Sequence, residues 1–241
     1  AAAADYLEGI EADWTDYEKV RAVFDRVVRR TDYQADQRDQ SLYQVLVNGE
    51  GVCAGYARTV QYLLNRLGIF CTYITGTARG GSHAWNLVRL DGEYYYLDAT
   101  WGDPVFLGGA FPADFVDYRY FCVTTAELAA THEPDTWLEL PACTAEACNY
   151  YVQEGRLLSS YDPDWWASPL SQCAGEGQAA LQVRFADTAV EAETRRQLLE
   201  EGEVYGMLAQ AAGQDPALVT DQIRYWEDEN GSFLYLFLLR R

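Results

Sequence analysis

Lysine, histidine and methionine are nearly absent from this sequence. Among its 241 residues Lys19 is the only lysine, Met207 the only methionine, and the two histidines are His83 and His132. With so few histidines and no Cys-x-x-Cys pair, we expect no zinc site. Arginine supplies nearly all the positive charge, which we interpret first as a genomic bias.

Long apolar runs and an excess of positive charge are also missing. No stretch of about 18 apolar residues occurs, so we predict no membrane span. The 37 acidic and 18 basic residues give a formal net charge of −19, which opposes nucleic acid and anionic membranes and favours neutral or basic partners. Acidity more often serves solubility, so charge alone identifies no partner. Hydrophobic residues make up 49% of the chain, which is enough for a sizeable core.

The cysteines do not form the pattern of a disulfide scaffold. There are six of them in 241 residues, a low density for such a scaffold. Cys143 and Cys148 could pair or could simply be packed. The chain begins AAAADYLEG without an initiating methionine, which we interpret as a processed or truncated product whose signal segment, if any, has been removed. We therefore expect a secreted or cell-envelope protein, with a cytoplasmic location left open.

Hydrophobic spacing predicts an α+β fold. The segment WTDYEKVRAVFDRVVRRTDY opens with a capping box, Thr15 and Glu18, and continues as an apolar helical stripe. A second helix is predicted over residues 53–67, and three strand-like runs follow, IFCTYITGTA, SHAWNLVRL and EYYYLDATW. The last two flank an Asp-Gly pair, a strong hairpin signal. A helix that feeds an antiparallel sheet is an α+β pattern.

The final part of the chain has elements of its own. NYYVQEGRLLSS and ALQVRFAD are predicted as strands, residues 188–212 as a helix, and IRYWEDENGSFLYLFLL as a closing hairpin. We predict a division into residues 1–149 and a small C-terminal α/β extension or domain over 150–241, whose role the sequence does not indicate. Trp165 and Trp166 could form an exposed binding patch, but core packing is the favoured interpretation.

Cys53 stands behind a glycine-rich turn at the start of a predicted helix, in NGEGVCAGYARTVQYLLNRLG. Gly51 and Val52 offer no side chain that could cap this helix, so its first N–H groups have no obvious partner. Those groups and the helix dipole favour a thiolate and could hold an oxyanion. The alternative is that Cys53 is only a buried residue of the apolar stripe, and the segment alone favours it.

His83 and Asp98 are predicted to lie on one face of a hairpin. If the Asp-Gly pair forms a two-residue turn, Leu90 pairs with Glu93 and, farther along, His83 faces Thr100. Asp98 is then a diagonal neighbour of His83, roughly 5–8 Å away across the strands. That separation lets the imidazole bond the carboxylate, as a catalytic base requires. A three- or five-residue loop would destroy this register.

Each of these residues also has an ordinary structural interpretation. His83 could be a core or surface histidine, and Asp98 could merely begin a turn. Asp103, on the loop that follows, is a second candidate carboxylate. His132, in ATHEPDTW, is interpreted as a helix-end or loop residue with little part in chemistry. For each residue taken alone, the structural interpretation is favoured. A cysteine at a helix start together with a His–Asp hairpin, however, points to a catalytic site.

At these residues the sequence resembles the transglutaminase-like superfamily, papain-related enzymes of cysteine acyl transfer. The matching segments are GEGVCAGYA with Cys53, GSHAWNLV with His83, and YYYLDATWGDP with Asp98. DYEKVRAVFDRVVRRTDY resembles the helix that often precedes the core in bacterial members, and YRYFCVTTAELAATHEPDTW and PACTAEACNYYV resemble segments that often follow it. The resemblance covers roughly residues 14–155 and is most specific over 48–104.

The resemblance implies a papain-like transglutaminase core, a cysteine helix packed on an antiparallel sheet, over residues 1–149. It implies that Cys53 is the nucleophile, His83 the general base and later acid, and Asp98 the orienting carboxylate. We choose Tyr33 as the second oxyanion donor, solely because it lies earlier in the chain. Some animal members need calcium and bacterial-type members generally do not. No acidic loop of calcium-binding spacing is present, so we predict no metal and no cofactor.

Three functions fit this resemblance. The first is hydrolysis of a peptide or isopeptide amide through a thioester, with a protein or peptide as substrate. The second resolves the same thioester with a lysine amine and crosslinks proteins, as a transglutaminase does. The third is a binding module that keeps the fold without turnover, and an intact Cys–His–Asp set argues against it. Hydrolysis ranks first because many bacterial relatives are protease-like.

Overall fold

The chain divides into two compact units, Ala1–Tyr150 and Tyr151–Arg241. The computed structural model describes residues 1–36, 38–103, 111–112, 115–137 and 139–241. Pro104, which closes the third motif, therefore lies outside the described residues. No helix within the described ranges has the length and apolar character needed to cross a membrane.

The first unit is built from helices and an antiparallel sheet, the α+β class predicted from the sequence. Its helices are α1 (Ala2–Leu7), α2 (Asp16–Arg29), α3 (Cys53–Arg66) and α4 (Thr125–Leu128), with a π-helical turn at Gln44–Asn48. Its strands are β1 (Asp32–Tyr33), β2 (Glu50–Gly51), β3 (Cys71–Ala78), β4 (Gly81–Leu90), β5 (Glu93–Leu97), β6 (Phe121–Val123) and β7 (His132–Pro134).

The main sheet of the first unit has the strand order β6-β5-β4-β3-β7, and all neighbours are antiparallel. Two tight turns connect its three long strands, at Arg79-Gly80 and Asp91-Gly92, and all four of these residues have positive φ. That backbone suits the right-handed twist of the flanking strands. The turns place β4 between β3 and β5, and the consecutive residues 83–88 of β4 are buried, so both of its faces are covered.

The two helices predicted in this unit form as expected. At the start of α2 the Glu18 N–H donates to the Thr15 hydroxyl at 3.2 Å, and the Thr15 N–H donates to the Glu18 carboxylate at 2.7 Å. This is the predicted capping box. The predicted stripe of α2 is buried throughout, at Val20, Val23, Phe24, Val27 and Val28.

The second unit contains a four-stranded sheet and helices. Its elements are β8 (Leu157–Leu158), α6 (Pro163–Gly175), β9 (Ala180–Phe185), α7 (Thr188–Thr194), a π-helical turn (Arg195–Glu200), α8 (Glu203–Ala211), β10 (Arg224–Glu227) and β11 (Phe233–Phe237). The strand order is β10-β11-β9-β8, with β8 and β9 parallel. The predicted closing hairpin is therefore present as β10 and β11.

Three predictions for the last 90 residues need correction. The helix predicted over 188–212 is divided, because Glu201 and Gly202, the latter with positive φ, separate the π-helical turn from α8. The strand predicted over 149–160 is mostly a short helix, α5 (Tyr150–Gln153), followed by the two residues of β8. The helix α6 was not predicted, although Asp162 caps it and Pro163 stands in its first turn. Trp166 on α6 is fully buried, which agrees with core packing.

Candidate functional site

Cys53 is the first residue of α3, and no side chain caps this helix. Its N-cap position is occupied by Val52 in extended conformation, and the first turn closes when the Gly55 N–H donates to the Val52 carbonyl at 2.8 Å. The N–H groups of Cys53 and Ala54 precede that bond. They form the positive end of the helix dipole beside the sulphur.

A small parallel ladder fixes the approach to α3. Tyr33 pairs with Gly51, and the Gln34 N–H donates to the Gly51 carbonyl at 2.9 Å. Gly51 has no room for a side chain, because a Cβ there would lie 2.7 Å from Cγ2 of Val45. This close packing brings Tyr33 to the start of the cysteine helix.

His83 reaches the site through the predicted register of the β4–β5 hairpin. The pairs run without interruption from Leu90 with Glu93 to Asn86 with Leu97. A second contact ties the same strand to the cysteine helix, since the Asn86 side-chain amide donates to the Ala57 carbonyl at 2.8 Å. The strand of His83 and the helix of Cys53 are therefore held together by a buried hydrogen bond.

Asp98 follows directly after β5 and is almost completely buried, with 1% of its surface exposed. One oxygen, Oδ1, accepts backbone N–H bonds from Thr100 at 3.0 Å and from Trp101 at 3.3 Å. The other, Oδ2, lies 2.6 Å from Nε2 of His83 and 3.0 Å from Nε2 of His132. A buried carboxylate needs such partners, and Asp98 has four.

The charges of this cluster shift the pKa values in opposite directions. Burial opposes the protonated form of His83, but the charge and hydrogen bond of Asp98, with a hydrogen bond to Cys53, raise its pKa to about 10. Burial would raise the pKa of Asp98, but the charge of His83 and bonds from both histidines lower it below its usual range. Imidazolium and carboxylate thus form an ion pair at neutral pH.

Cys53, His83 and Asp98 are therefore brought together in one line. Since Nε2 of His83 faces Asp98, Nδ1 is the ring nitrogen that remains for the Cys53 thiol. Cys53 is also the only one of the six cysteines that is not buried, and all six are free thiols. Burial raises the pKa of the other five thiols: Cys71, Cys122, Cys143, Cys148 and Cys173.

His132 differs from its prediction. It was expected at a helix end or in a loop, but it is the first residue of β7 and is 3% exposed. Its register opposite Ala78 of β3 carries its ring onto Asp98. A three-residue strand has too little periodicity to be recognised in the sequence. The only feature of the sequence that could have drawn attention to His132 was the rarity of histidine in this chain.

The alternative carboxylate has another partner. Asp103 is buried and hydrogen-bonds with the Tyr56 hydroxyl, which also lies 2.9 Å from the Thr31 carbonyl oxygen. This contact attaches the loop after β5 to the second turn of α3. Asp103 is therefore a buried residue that holds the cysteine helix in place. The carboxylate that contacts His83 is that of Asp98.

Three aromatic residues named from the sequence lie around the cluster. Tyr33 is half-buried, and its pKa is raised by burial and by the neighbouring Cys53 and Asp98. Trp85 and Trp101 are both buried. Trp85 is stacked near the His83 ring at a centroid distance of 5.9 Å, and Trp101 lies 6.1 Å from that ring.

The two histidines and Asp98 are also the set that could hold a metal ion among the described residues. Their donor atoms all lie within 4.8 Å of one another. The oxygen–nitrogen separations of 2.6 and 3.0 Å are those of charge-assisted hydrogen bonds. We therefore describe the cluster as hydrogen-bonded, and independence from metals stays a prediction.

The N-terminal part of the chain matches a known family. Residues 4–99 match the description "Transglutaminase-like superfamily", and this range contains Cys53, His83 and Asp98. Residues 4–99 of the first unit are therefore similar to the transglutaminase-like superfamily. The matched range ends before His132, so the match does not include that residue.

Similarity to individual proteins is confined to part of the chain. Human kyphoscoliosis peptidase is 27% identical over an alignment of 106 positions that covers 36% of this chain and 16% of that protein. Cytokinesis protein 3 of Schizosaccharomyces pombe is 26% identical over an alignment of 132 positions that covers 48% of this chain and 15% of that protein. A solved structure described as a TGase has a TM-score of 0.38 and 22% identity over 41% of this chain and 30% of its own. The chain thus spans a small fraction of its curated relatives.

Proposed function

We propose that the transglutaminase-like domain hydrolyses peptide or isopeptide amide bonds through a thioester on Cys53. The observation that carries this proposal is the line from Cys53 through His83 to Asp98, at the uncapped start of α3. A similar protein, human kyphoscoliosis peptidase, is named as a peptidase, which supports hydrolysis over other fates of a thioester.

The first half of the reaction forms the acyl-enzyme. The Cys53 thiolate attacks the carbonyl carbon, a carbon–sulphur bond forms, and the carbonyl electrons move to the oxygen. The N–H groups at the start of α3 can donate to this oxyanion. His83 then gives its proton to the amine nitrogen as the carbon–nitrogen bond breaks. Asp98 keeps the imidazole oriented and stabilises its positive charge.

The second half returns the enzyme to its initial state. Neutral His83 removes a proton from water, and the resulting hydroxide forms a bond to the thioester carbon. The carbon–sulphur bond breaks, the carboxylic acid leaves, and the thiolate of Cys53 is restored beside protonated His83. An amine in place of water would give a new amide, which is the crosslinking alternative.

The proposal predicts that Cys53 is alkylated far faster than the other thiols. We expect iodoacetamide near neutral pH to label Cys53 selectively, because the other five cysteines are buried. His83→Ala should slow the labelling by at least tenfold, since the thiolate loses its cationic partner. Mass spectrometry of peptides from the labelled protein gives the rate at each cysteine.

A matched pair of carboxylate variants controls this experiment. Asp98→Asn should slow the labelling of Cys53, whereas Asp117→Asn, at an equally buried carboxylate that pairs with Arg119, should leave the rate within about twofold. Equal labelling of all accessible cysteines, or equal effects of the two variants, would contradict an activated Cys53.

Substrate assays separate the alternatives. If the protein cleaves members of a peptide or isopeptide library and Cys53→Ser does not, the result supports hydrolysis. Incorporation of a dansylated amine into a glutamine-bearing protein without peptide cleavage would favour crosslinking. Rapid labelling of Cys53 with no turnover in either assay would favour a binding module on the same fold.

A further inference from the structure

His132 is a buried titratable residue that the triad does not use. Its Nε2 lies 3.0 Å from Oδ2 of Asp98, the same oxygen that lies 2.6 Å from Nε2 of His83. The two imidazole rings are 5.4 Å apart between centroids. The carboxylate oxygen of Asp98 is therefore shared between two histidines, of which only one reaches Cys53.

A hydroxyl chain on the far side of the ring fixes the proton of His132. Nδ1 lies 2.8 Å from the Thr131 hydroxyl, which lies 2.8 Å from the Tyr120 hydroxyl. If the Tyr120 hydroxyl donates a hydrogen bond to the Thr131 hydroxyl and that hydroxyl donates to Nδ1, the ring proton of His132 is on Nε2 and points at Asp98. In a neutral imidazole, the bond made by one nitrogen sets the role of the other.

Aromatic side chains enclose the ring of His132 and leave it little freedom to turn. Its centroid lies 4.8 Å from that of Trp101, 5.1 Å from Trp85 and 5.1 Å from Tyr120. The backbone is fixed as well, since the Arg79 N–H donates to the Thr131 carbonyl at 2.9 Å. A histidine that only filled space would need neither the hydroxyl chain nor a nitrogen aimed at a carboxylate.

We propose that His132 is a positioning residue for the proposed reaction: it donates Nε2–H to Asp98 and so holds the carboxylate in the orientation that aligns His83 with Cys53. Backbone N–H groups fix Oδ1 of Asp98, and His132 contacts Oδ2, the oxygen that His83 also contacts. Without this donor, the carboxylate can rotate about its Cβ–Cγ bond. It then no longer holds the His83 ring in a single orientation. The kinetic part of this inference rests on the proposed function, whereas the structural part does not.

Two substitutions at this position separate the hydrogen bond from the packing. His132→Gln keeps an N–H donor near the place of Nε2, whereas His132→Phe keeps a ring between the tryptophans and removes the donor. We expect His132→Phe to lower kcat and the alkylation rate of Cys53 roughly tenfold to a hundredfold, the cost of a small misplacement of reacting groups, with KM unchanged. His132→Gln should recover most of both rates.

The His83 ring gives a readout that needs no substrate. Because the chain has two histidines, selective ¹⁵N-histidine labelling gives two imidazoles, and the signal lost in His132→Gln identifies the other as His83. In the wild type we expect a slowly exchanging, strongly downfield Nε2–H proton on His83. This proton should broaden or exchange faster in His132→Phe and persist in His132→Gln.

A second pair of variants tests the hydroxyl chain if His132→Phe does not fold. Thr131→Val removes the donor to Nδ1, and Thr131→Ser keeps it. The valine variant should weaken the His83 proton signal and slow alkylation, and the serine variant should match the wild type. An unchanged His83 signal and alkylation rate in folded His132→Phe or Thr131→Val would overturn the proposal, as would equal losses in the two members of either pair. If the wild type cleaves no amide, the proposed function fails, but these two readouts still decide the role of His132.

Discussion

At the residue scale, the ion pair of His83 and Asp98 makes the stability of the protein depend on pH. The pKa of His83 is raised from 6.5 to about 10 in the folded protein. Between these values the folded state holds a proton that the unfolded state has lost. The free energy of unfolding should therefore fall as pH rises, by at most about 1.4 kcal/mol per pH unit from this group. Its contribution is complete below about pH 6.5 and is lost as pH rises through about 10.

This prediction is checked by urea unfolding at several pH values from 6.5 to 8 in a Cys53→Ser background, because a Cys53 thiolate in the folded state would offset the proton held by His83. Asp98→Asn in this background removes the carboxylate that raises the pKa of His83, so stability should depend less steeply on pH, whatever its absolute value. Asp117→Asn in the same background is a matched control, because Asp117 is a buried carboxylate paired with Arg119. Parallel pH profiles for Cys53→Ser with and without Asp98→Asn would contradict the raised pKa.

Cys53, His83 and Asp98 could be predicted as site residues from the sequence because each lies in a segment with a strong local signal. Glycines and a missing cap mark Cys53, and a two-residue turn sets the register that relates His83 to Asp98. The second histidine bond to Asp98 could not be predicted, since it comes from His132, which lies 34 residues beyond Asp98 in the chain. The pairing of its strand depends on side chains that contact it only after folding.

At the scale of elements, Gly76 controls how closely β7 approaches the sheet. Gly76 pairs with His83 on one side and with Pro134 on the other. A Cβ at this position would lie 2.2 Å from the Glu133 carbonyl oxygen and 2.7 Å from the ring of Trp85. Backbone on one side and a buried ring on the other leave no room to relax, so only glycine allows this pairing.

We predict that Gly76→Ala moves β7 away from β3 and costs about 1–3 kcal/mol of stability, as overpacking does. The matched control is Gly81→Ala in the same hairpin, where the added Cβ would meet its nearest atom at 3.7 Å. That variant should change stability by less than about 0.5 kcal/mol. Urea unfolding measures both, and the His83 proton signal reports whether His132 has left Asp98. Equal stabilities would show that β7 can relax around the methyl group.

Elements with repeated local signals were predicted well, and short elements were not. The capping box of α2 and the Asp-Gly turn each depend on a few adjacent residues and form as predicted. The segment NYYVQEG has strand-forming side chains, but burial of Tyr150 and Tyr151 accompanies a helical turn instead. Tertiary packing overrides weak local preference where an element is only a few residues long.

At the scale of the whole molecule, the proposed chemistry belongs to the first unit. The family match spans residues 4–99, and the candidate site residues Cys53, His83, Asp98 and His132 all precede residue 150. The second unit has its own core, which contains Trp166, Leu181 and Leu234, all fully or almost fully buried. A separate core is what allows a unit to fold alone.

We therefore predict that two pieces, residues 1–153 and residues 150–241, each fold when expressed separately. Both pieces keep α5, so neither end of that helix is cut. Each should show a cooperative urea transition, because its buried side chains pack against others of the same unit. The first piece should also keep the rapid, His83-dependent alkylation of Cys53, within a few-fold of the full chain. A first piece that folds cooperatively but labels Cys53 no faster than a denatured control would mean that the site requires the second unit, and the assignment of the chemistry to residues 1–150 would be wrong.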